Sequence, residues 1–210
     1  PFWLTPVKYY VGPALYRRKF TIPASWQDKH ITLTLERCHW ETEVWVDGKS
    51  QGKQNSLSTP HAYQLGRLAP AAHTLTICVD NTVKIAVGVN AHSVSDHTQT
   101  NWNGIVGQIA LEAHDAVRID DLQVFPDVET KTARVRLALD NPSKVRGACT
   151  LKLKASTLSS KTPHEGELLQ LAIDLTGSRQ QVEAVYPMGN DCLLWNEFTP
   201  NVYTMKAELS

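Results

Sequence analysis

The chain has 210 residues, 42% hydrophobic and 20% charged, which suits one large domain or two ordinary ones and a globular rather than disordered protein. Its 21 basic residues equal its 21 acidic ones without a basic run, so the electrostatic footprint of a nucleic-acid binder is missing, and a neutral substrate or a protein partner fits better. No apolar run approaches the ~20 residues that a membrane-spanning helix needs, so no membrane partner is expected.

The opening Pro1-Phe2-Trp3 has no initiator methionine and no signal peptide, and reads as a processed or excised piece of something longer. Period-two alternation then recurs along the chain, with no convincing helical stripe. Ile31, Leu33 and Leu35 alternate with Thr32, Thr34 and Glu36. Val44 and Val46 precede Asp47-Gly48, a tight hairpin turn because Gly accepts positive φ cheaply. Leu75, Ile77 and Val79 alternate with Thr74, Thr76 and Cys78.

Next comes the polar, nearly chargeless stretch 90–104, rich in Asn, His, Ser, Thr and Gln, with Asp96 and Trp102 inside it. It passes directly into the apolar run Ile105-Val106-Gly107-Gln108-Ile109-Ala110-Leu111, expected as one strand. Loops held on rigid sheets are where binding groups tend to sit. Amides, imidazoles and an indole suit a sugar, offering fixed donors and acceptors for hydroxyls and one flat apolar face. The plainer alternative is an ordered surface loop whose polar groups satisfy one another.

Alternation restarts after Glu112-Ala113-His114-Asp115 with Val117-Arg118-Ile119, so a boundary is expected between residues 112 and 118. Val135, Leu137 and Leu139 then oppose Arg134 and Arg136, and Leu151 and Leu153 alternate with Lys152 and Lys154. Leu169, Leu171, Ile173 and Leu175 close the series. Many short strands separated by Gly, Pro, Asn and Asp predict an all-β protein of two antiparallel sandwiches, 1–114 and 115–210.

Cys38, Cys78, Cys149 and Cys192 have no metal-site spacing, and Cys38 and Cys78 fall in predicted strands as small buried hydrophobes. One disulfide is possible in an oxidising compartment. A secreted or periplasmic location is favoured over a cytoplasmic one. No cofactor is implied, because phosphate-cradling glycine loops and nucleophile elbows are absent. His92, Asp96 and His97 are too irregularly spaced for a metal site, and Ser93 beside His92 is not a triad. Glu41 and Glu43 share one strand face at a separation of ~6.6–6.8 Å, inside the inverting-glycosidase range of about 6.5–9.5 Å. The solvated face of a strand explains them better, so no catalytic residue is assigned. Among the six tryptophans, Trp3, Trp26 and Trp45 read as packing residues, Trp40 as a weaker binding candidate. Trp102 suits either stacking on a sugar or pinning the loop.

The segments Tyr16-Arg17-Arg18-Lys19-Phe20-Thr21-Ile22-Pro23, Leu33-Thr34-Leu35-Glu36-Arg37-Cys38 and Val44-Trp45-Val46-Asp47-Gly48-Lys49 resemble the sugar-binding domain of family 2 glycoside hydrolases. Leu75-Thr76-Ile77-Cys78-Val79-Asp80-Asn81 and Gly104-Ile105-Val106-Gly107-Gln108-Ile109 continue the match in order. Leu193-Leu194-Trp195-Asn196-Glu197-Phe198-Thr199-Pro200-Asn201-Val202-Tyr203 resembles the lead-in and last strand of the family's immunoglobulin-like domain, where the tryptophan packs. The match departs where Val106 and Gly107 replace a basic or aromatic residue.

The resemblance implies a galactose-binding-like jelly roll followed by an immunoglobulin-like sandwich, with the catalytic barrel of the same parent chain as partner. It also implies a carbohydrate substrate, contacted by an acidic residue of the loop before the Gly-Ile strand. Asp96 is the only acidic side chain between Asp80 and Glu112 and takes that role, with Asn101 and Trp102 in support. Competing readings are an independent carbohydrate-binding module and a structural or oligomer-forming sandwich pair.

Overall fold

The computed structural model describes residues 10–88, 90, 91, 94 and 102–210. The chain divides into two compact units, Pro1–Asp115 and Ala116–Ser210. Among the described residues one 3-10 turn, Ala24–Trp26, is the whole helical content, and everything else regular is β-strand.

Unit one contains β1 (Pro13–Thr21), β2 (His30–Leu35), β3 (Cys38–His39), β4 (Glu41–Val46), β5 (Lys49–Asn55), β6 (His61–Gly66), β7 (Ala72–Asp80), β8 (Gly104–Ile105) and β9 (Ile109–His114). A four-stranded antiparallel sheet runs β1-β7-β4-β5, a three-stranded one β6-β2-β9, and β3 pairs with β8. Val44, Val46, Ile77 and Val79 from the first sheet meet Ile31, Leu33, Leu35 and Tyr63 from the second in one buried core. Each such side chain gains about 1.5–3 kcal/mol by leaving water, so alternation decides which face of a strand turns inward. Thr42, also inward on β4, touches His61 Nδ1 and the Tyr63 hydroxyl at 2.6 Å each, while His61 Nε2 lies 3.0 Å from Ser56 O. Burial pushes the His61 pKa down and that of Tyr63 up, so both are neutral spacers in an apolar core.

The run 105–111 is not one strand. β8 stops at Ile105, β9 starts at Ile109, and Val106 and Ile109 are half exposed. Val106 N donates to Arg37 O at 3.3 Å, Gly107 N to Glu36 O at 3.1 Å and Gln108 N to Glu36 Oε2 at 3.0 Å. These bonds fold the segment over the corner between β2 and β3, and apolar composition alone does not disclose such a pinch.

The Asp47-Gly48 turn joins β4 to β5 with φ of 49° and 79°, the primed geometry that matches strand twist. The Asp47 carboxylate accepts from Thr74 N at 2.7 Å and lies 2.7 Å from His73 Nδ1, whose other ring nitrogen is 2.8 Å from Ala69 O. Only an imidazolium can donate to both acceptors at once. The bond to Ala69 O, then that to Asp47, raises the His73 pKa above its ordinary 6.5. His73 and the Thr74 amide lower that of Asp47 below its ordinary 3.8. A raised histidine contributes fully below the unfolded pKa and loses its contribution as pH rises through the folded one. A depressed aspartate does the reverse, losing its share as pH falls through the folded value. The brace is therefore expected to hold best between about pH 4 and 6.5. Stability of unit one, followed by urea titration, should fall more steeply between pH 6 and 9 in the natural chain than in His73→Gln, where equal slopes would refute the brace.

Unit two contains β10 (Arg118–Asp127), β11 (Thr132–Asp140), β12 (Gly147–Ser159), β13 (Leu169–Leu175), β14 (Arg179–Pro187) and β15 (Val202–Leu209). Sheets β10-β11-β14 and β13-β12-β15 enclose Val135, Leu137, Leu151, Leu153, Ala155, Ala184 and Tyr186. Buried Asn141 donates to Val145 O and Gly177 O and accepts from Val145 N, stitching the turn after β11 to the β13–β14 hairpin.

All four cysteines are free, and burial pushes the Cys38 thiol up to about 11, which removes it as a nucleophile. Trp26 packs on the first core and Trp40 is buried, whereas Trp45 lies half-buried on the outward face of β4, opposite in parity to Val44 and Val46. Trp3 lies outside the described residues. Trp195, expected to pack, is 64% exposed. It sits in a turn closed by its bridge to Pro200 and by Asn196 Oδ1 accepting from Phe198 N and Thr199 N, so polar caps hold the backbone with the ring outward.

Candidate functional site

The two roots of the polar loop come together at one end of unit one. Asn81, just past β7, donates through Nδ2 to Asn103 Oδ1 at 2.6 Å and to Tyr10 O at 2.8 Å, and its Oδ1 accepts from Gly12 N at 2.8 Å. One amide thus ties the outgoing root, the returning root and the lead-in to β1. On the outgoing side, Asp80 Oδ1 accepts from Thr82 N at 2.9 Å and Oδ2 pairs with Lys84 at 2.5 Å. Those bonds outweigh desolvation and hold the Asp80 carboxyl below its usual pKa.

On the returning side, Trp102 is half-buried. Its Nε1 donates to Arg37 O at 3.1 Å, and its ring meets buried His39 edge-on at a centroid distance of 5.4 Å. Arg37 reaches this corner with φ of 54°, and its carbonyl also takes the Val106 amide. His39 pairs with Gly104 across β3–β8, and a Cβ at Gly104 would stand 3.1 Å from the Tyr16 hydroxyl. Tyr10 and Tyr16, each about half exposed, therefore flank the root together with Trp102. Asp96 and Asn101 lie outside the described residues, as do His92, Ser93 and His97. Asn81, His39, Tyr10 and Tyr16 are not marked as site residues by residue type or spacing: the bonds of the Asn81 amide to Tyr10, Gly12 and Asn103 leave no local trace in the sequence.

Hydroxyl and amide groups around an indole can bind and orient a polyol, while among the described residues no pair of reacting carboxyls lies at these roots. The carboxylate pair on β4 is tied up by lysines. Glu43 lies 3.2 Å from Lys53, and Glu41 lies 4.0 Å from Lys53 and 3.8 Å from Lys84. This is an ion-pair row on the solvent side of the four-stranded sheet. The Thr42–His61 contact is sealed in the core, out of reach of any substrate. Among the described residues no group of three or more His, Cys, Asp or Glu is arranged to hold a metal ion.

Residues 117–210 match the model of Glycosyl hydrolases family 2. The chain is 24% identical over 199 residues to the β-galactosidase large subunit of Latilactobacillus sakei, covering 92% of this chain and 29% of that protein. Among solved structures, it resembles Bacteroides uniformis β-glucuronidase 2, covalently bound to cyclophellitol-6-carboxylate aziridine, with a TM-score of 0.77 and 22% identity over 96% of this chain and 24% of the other. A glycosyl hydrolase family 2 member from Bacteroides cellulosilyticus gives a TM-score of 0.73 at 18% identity, over 96% of this chain and 27% of the other. The chain thus spans 24–29% of these relatives' lengths. The structural likenesses carry the β-sandwich fold, and the match to the model of Glycosyl hydrolases family 2 lies within the second unit, over residues 117–210.

Proposed function

We propose that the chain is the non-catalytic, sugar-contacting portion of a family 2 glycoside hydrolase, a jelly roll over 1–114 followed by an immunoglobulin-like sandwich over 115–210. The loop 90–104 reaches the carbohydrate substrate through Asp96, with Asn101 and Trp102 beside it. The catalytic barrel of the same parent chain completes the site and breaks the bond. Asp96 orients sugar hydroxyls by charge-assisted hydrogen bonds and takes no part in cleavage. The observation that carries this reading is the anchored root: Trp102 tied to Arg37 O and Asn103 tied to Asn81 give a polar loop a fixed base. The β-galactosidase and β-glucuronidase likenesses support a glycoside as the substrate class.

In the complete enzyme, Asp96→Ala is expected to lower kcat/KM by about 1.5–3 kcal/mol of transition-state stabilisation, the worth of one or two hydrogen bonds to a charged group. Thermal stability should barely change. Retention of natural kcat/KM by Asp96→Ala refutes the role. The 210-residue chain by itself is expected to leave a panel of aryl β-glycosides intact. Turnover that persisted through purification and vanished in Glu41→Gln or Glu43→Gln would transfer the chemistry to that pair.

A further inference from the structure

The outward face of the four-stranded sheet carries a second feature that the loop does not involve. An open depression of about 540 Å³ is lined by Arg17, Trp45, Asp47, Gly48, Thr74 and Thr76. Its size falls within the range of small-ligand sites, about 300–1,000 Å³. It lies at the opposite end of β7 from the loop: Thr74 and Asp80 are six residues apart, roughly 20 Å of strand.

Register explains the grouping. Thr76 pairs with Arg17 on β1 and with Trp45 on β4, so the guanidinium and the indole stand on either side of one threonine. Their backbones are two strand spacings apart, about 9–10 Å. Leu75 and Ile77 point into the core, which turns the Thr74 and Thr76 side chains outward as the floor. The rim is stiff, because Asp47 is held by Thr74 N and His73 and its own amide donates to Thr74 O at 2.9 Å. Both Asp47 oxygens are therefore engaged within the protein. Among the described residues Arg17 forms no ion pair, so its planar fork faces the depression without an internal carboxylate. A planar apolar ring beside a free guanidinium and two hydroxyls selects a pyranose that carries a carboxylate: the indole takes the C–H face and Arg17 grips the acid in bidentate fashion.

We propose that this depression is a binding site for a hexuronate residue of an oligosaccharide, with Trp45 as platform and Arg17 as carboxylate clamp. The test is calorimetric titration of the 210-residue chain with α-1,4-linked trigalacturonic acid and, separately, with neutral maltotriose. Trigalacturonic acid should bind with a Kd near or below about 1 mM, and maltotriose at least about tenfold more weakly. Arg17→Gln should weaken trigalacturonic acid about tenfold, the worth of one charged hydrogen bond, and leave maltotriose unchanged. Trp45→Ala should weaken both. Arg17 lies on an exposed edge strand, so its variant stays informative if Trp45→Ala fails to fold. The proposal is overturned if trigalacturonic acid shows no heat at about 10 mM. It is equally overturned if the two sugars bind alike, or if Arg17→Gln binds trigalacturonic acid as the natural chain does. Because neither variant touches the loop 90–104, failure here leaves the Asp96 test untouched.

Discussion

Tyr186→Ala is expected to cost unit two about 3–5 kcal/mol, the range for removing a fully buried aromatic ring. Tyr186 is completely buried on β14, within the core formed by Val135, Leu137, Leu151 and Leu153. Its hydroxyl donates to Glu167 O at 2.6 Å and accepts from Ala155 N at 3.1 Å, so it also satisfies two backbone groups on neighbouring segments. Tyr186→Phe keeps the ring and leaves those groups bare, at about 1–3 kcal/mol. Urea denaturation followed on the unit-two transition separates the two losses. Equal destabilisation by Phe and Ala would mean that the hydroxyl, not the ring, holds the core. Gly166 belongs to the same device, since a Cβ there would overlap the Tyr186 hydroxyl.

Gly107→Ala is expected to destabilise unit one by about 1–3 kcal/mol through overpacking. An ideal Cβ at this position would stand 2.6 Å from Glu36 Cβ and 2.7 Å from the Glu36 carbonyl oxygen. Glu36 cannot retreat, because its amide donates to Gln108 O at 2.9 Å and its carbonyl accepts from Gly107 N. Gly177→Ala is the matched control: the nearest atom to its Cβ would be Arg179 O at an ordinary 3.7 Å, and a change within about 0.5 kcal/mol is expected. A Gly107→Ala transition coincident with that of the natural chain would show that the corner yields. The same contact explains why a basic or aromatic residue has no place here.

Strand faces were readable wherever alternation was strict. Ile31, Leu33 and Leu35, or Leu151 and Leu153, announce an inward face because each methylene left in water costs free energy. β14 was harder: Arg179, Gln180, Gln181 and Glu183 dilute its inward Val182, Ala184 and Tyr186 into a weak signal. The run 105–111 misled for the opposite reason, since its composition promised burial while hydrogen bonds to Glu36 and Arg37 broke it in two. Tertiary bonds of that kind join residues some seventy positions apart and leave no local trace. Trp45 shows the limit for sites. As a residue type it suggests packing; alternation with Val44 and Val46 turns it outward, and only the pairing across Thr76 brings Arg17 to the same open depression.

The hydrogen bond between Asn81 and Asn103 has a bearing on how such a protein changes over generations. By joining the two roots, it makes the stretch between them a cassette whose ends are already closed by the scaffold. Lengthening such a cassette costs little, about 0.6 kcal/mol for each doubling of its length. Insertion, deletion or grafting between residues 82 and 101 is therefore cheap, while the sandwich below keeps its register.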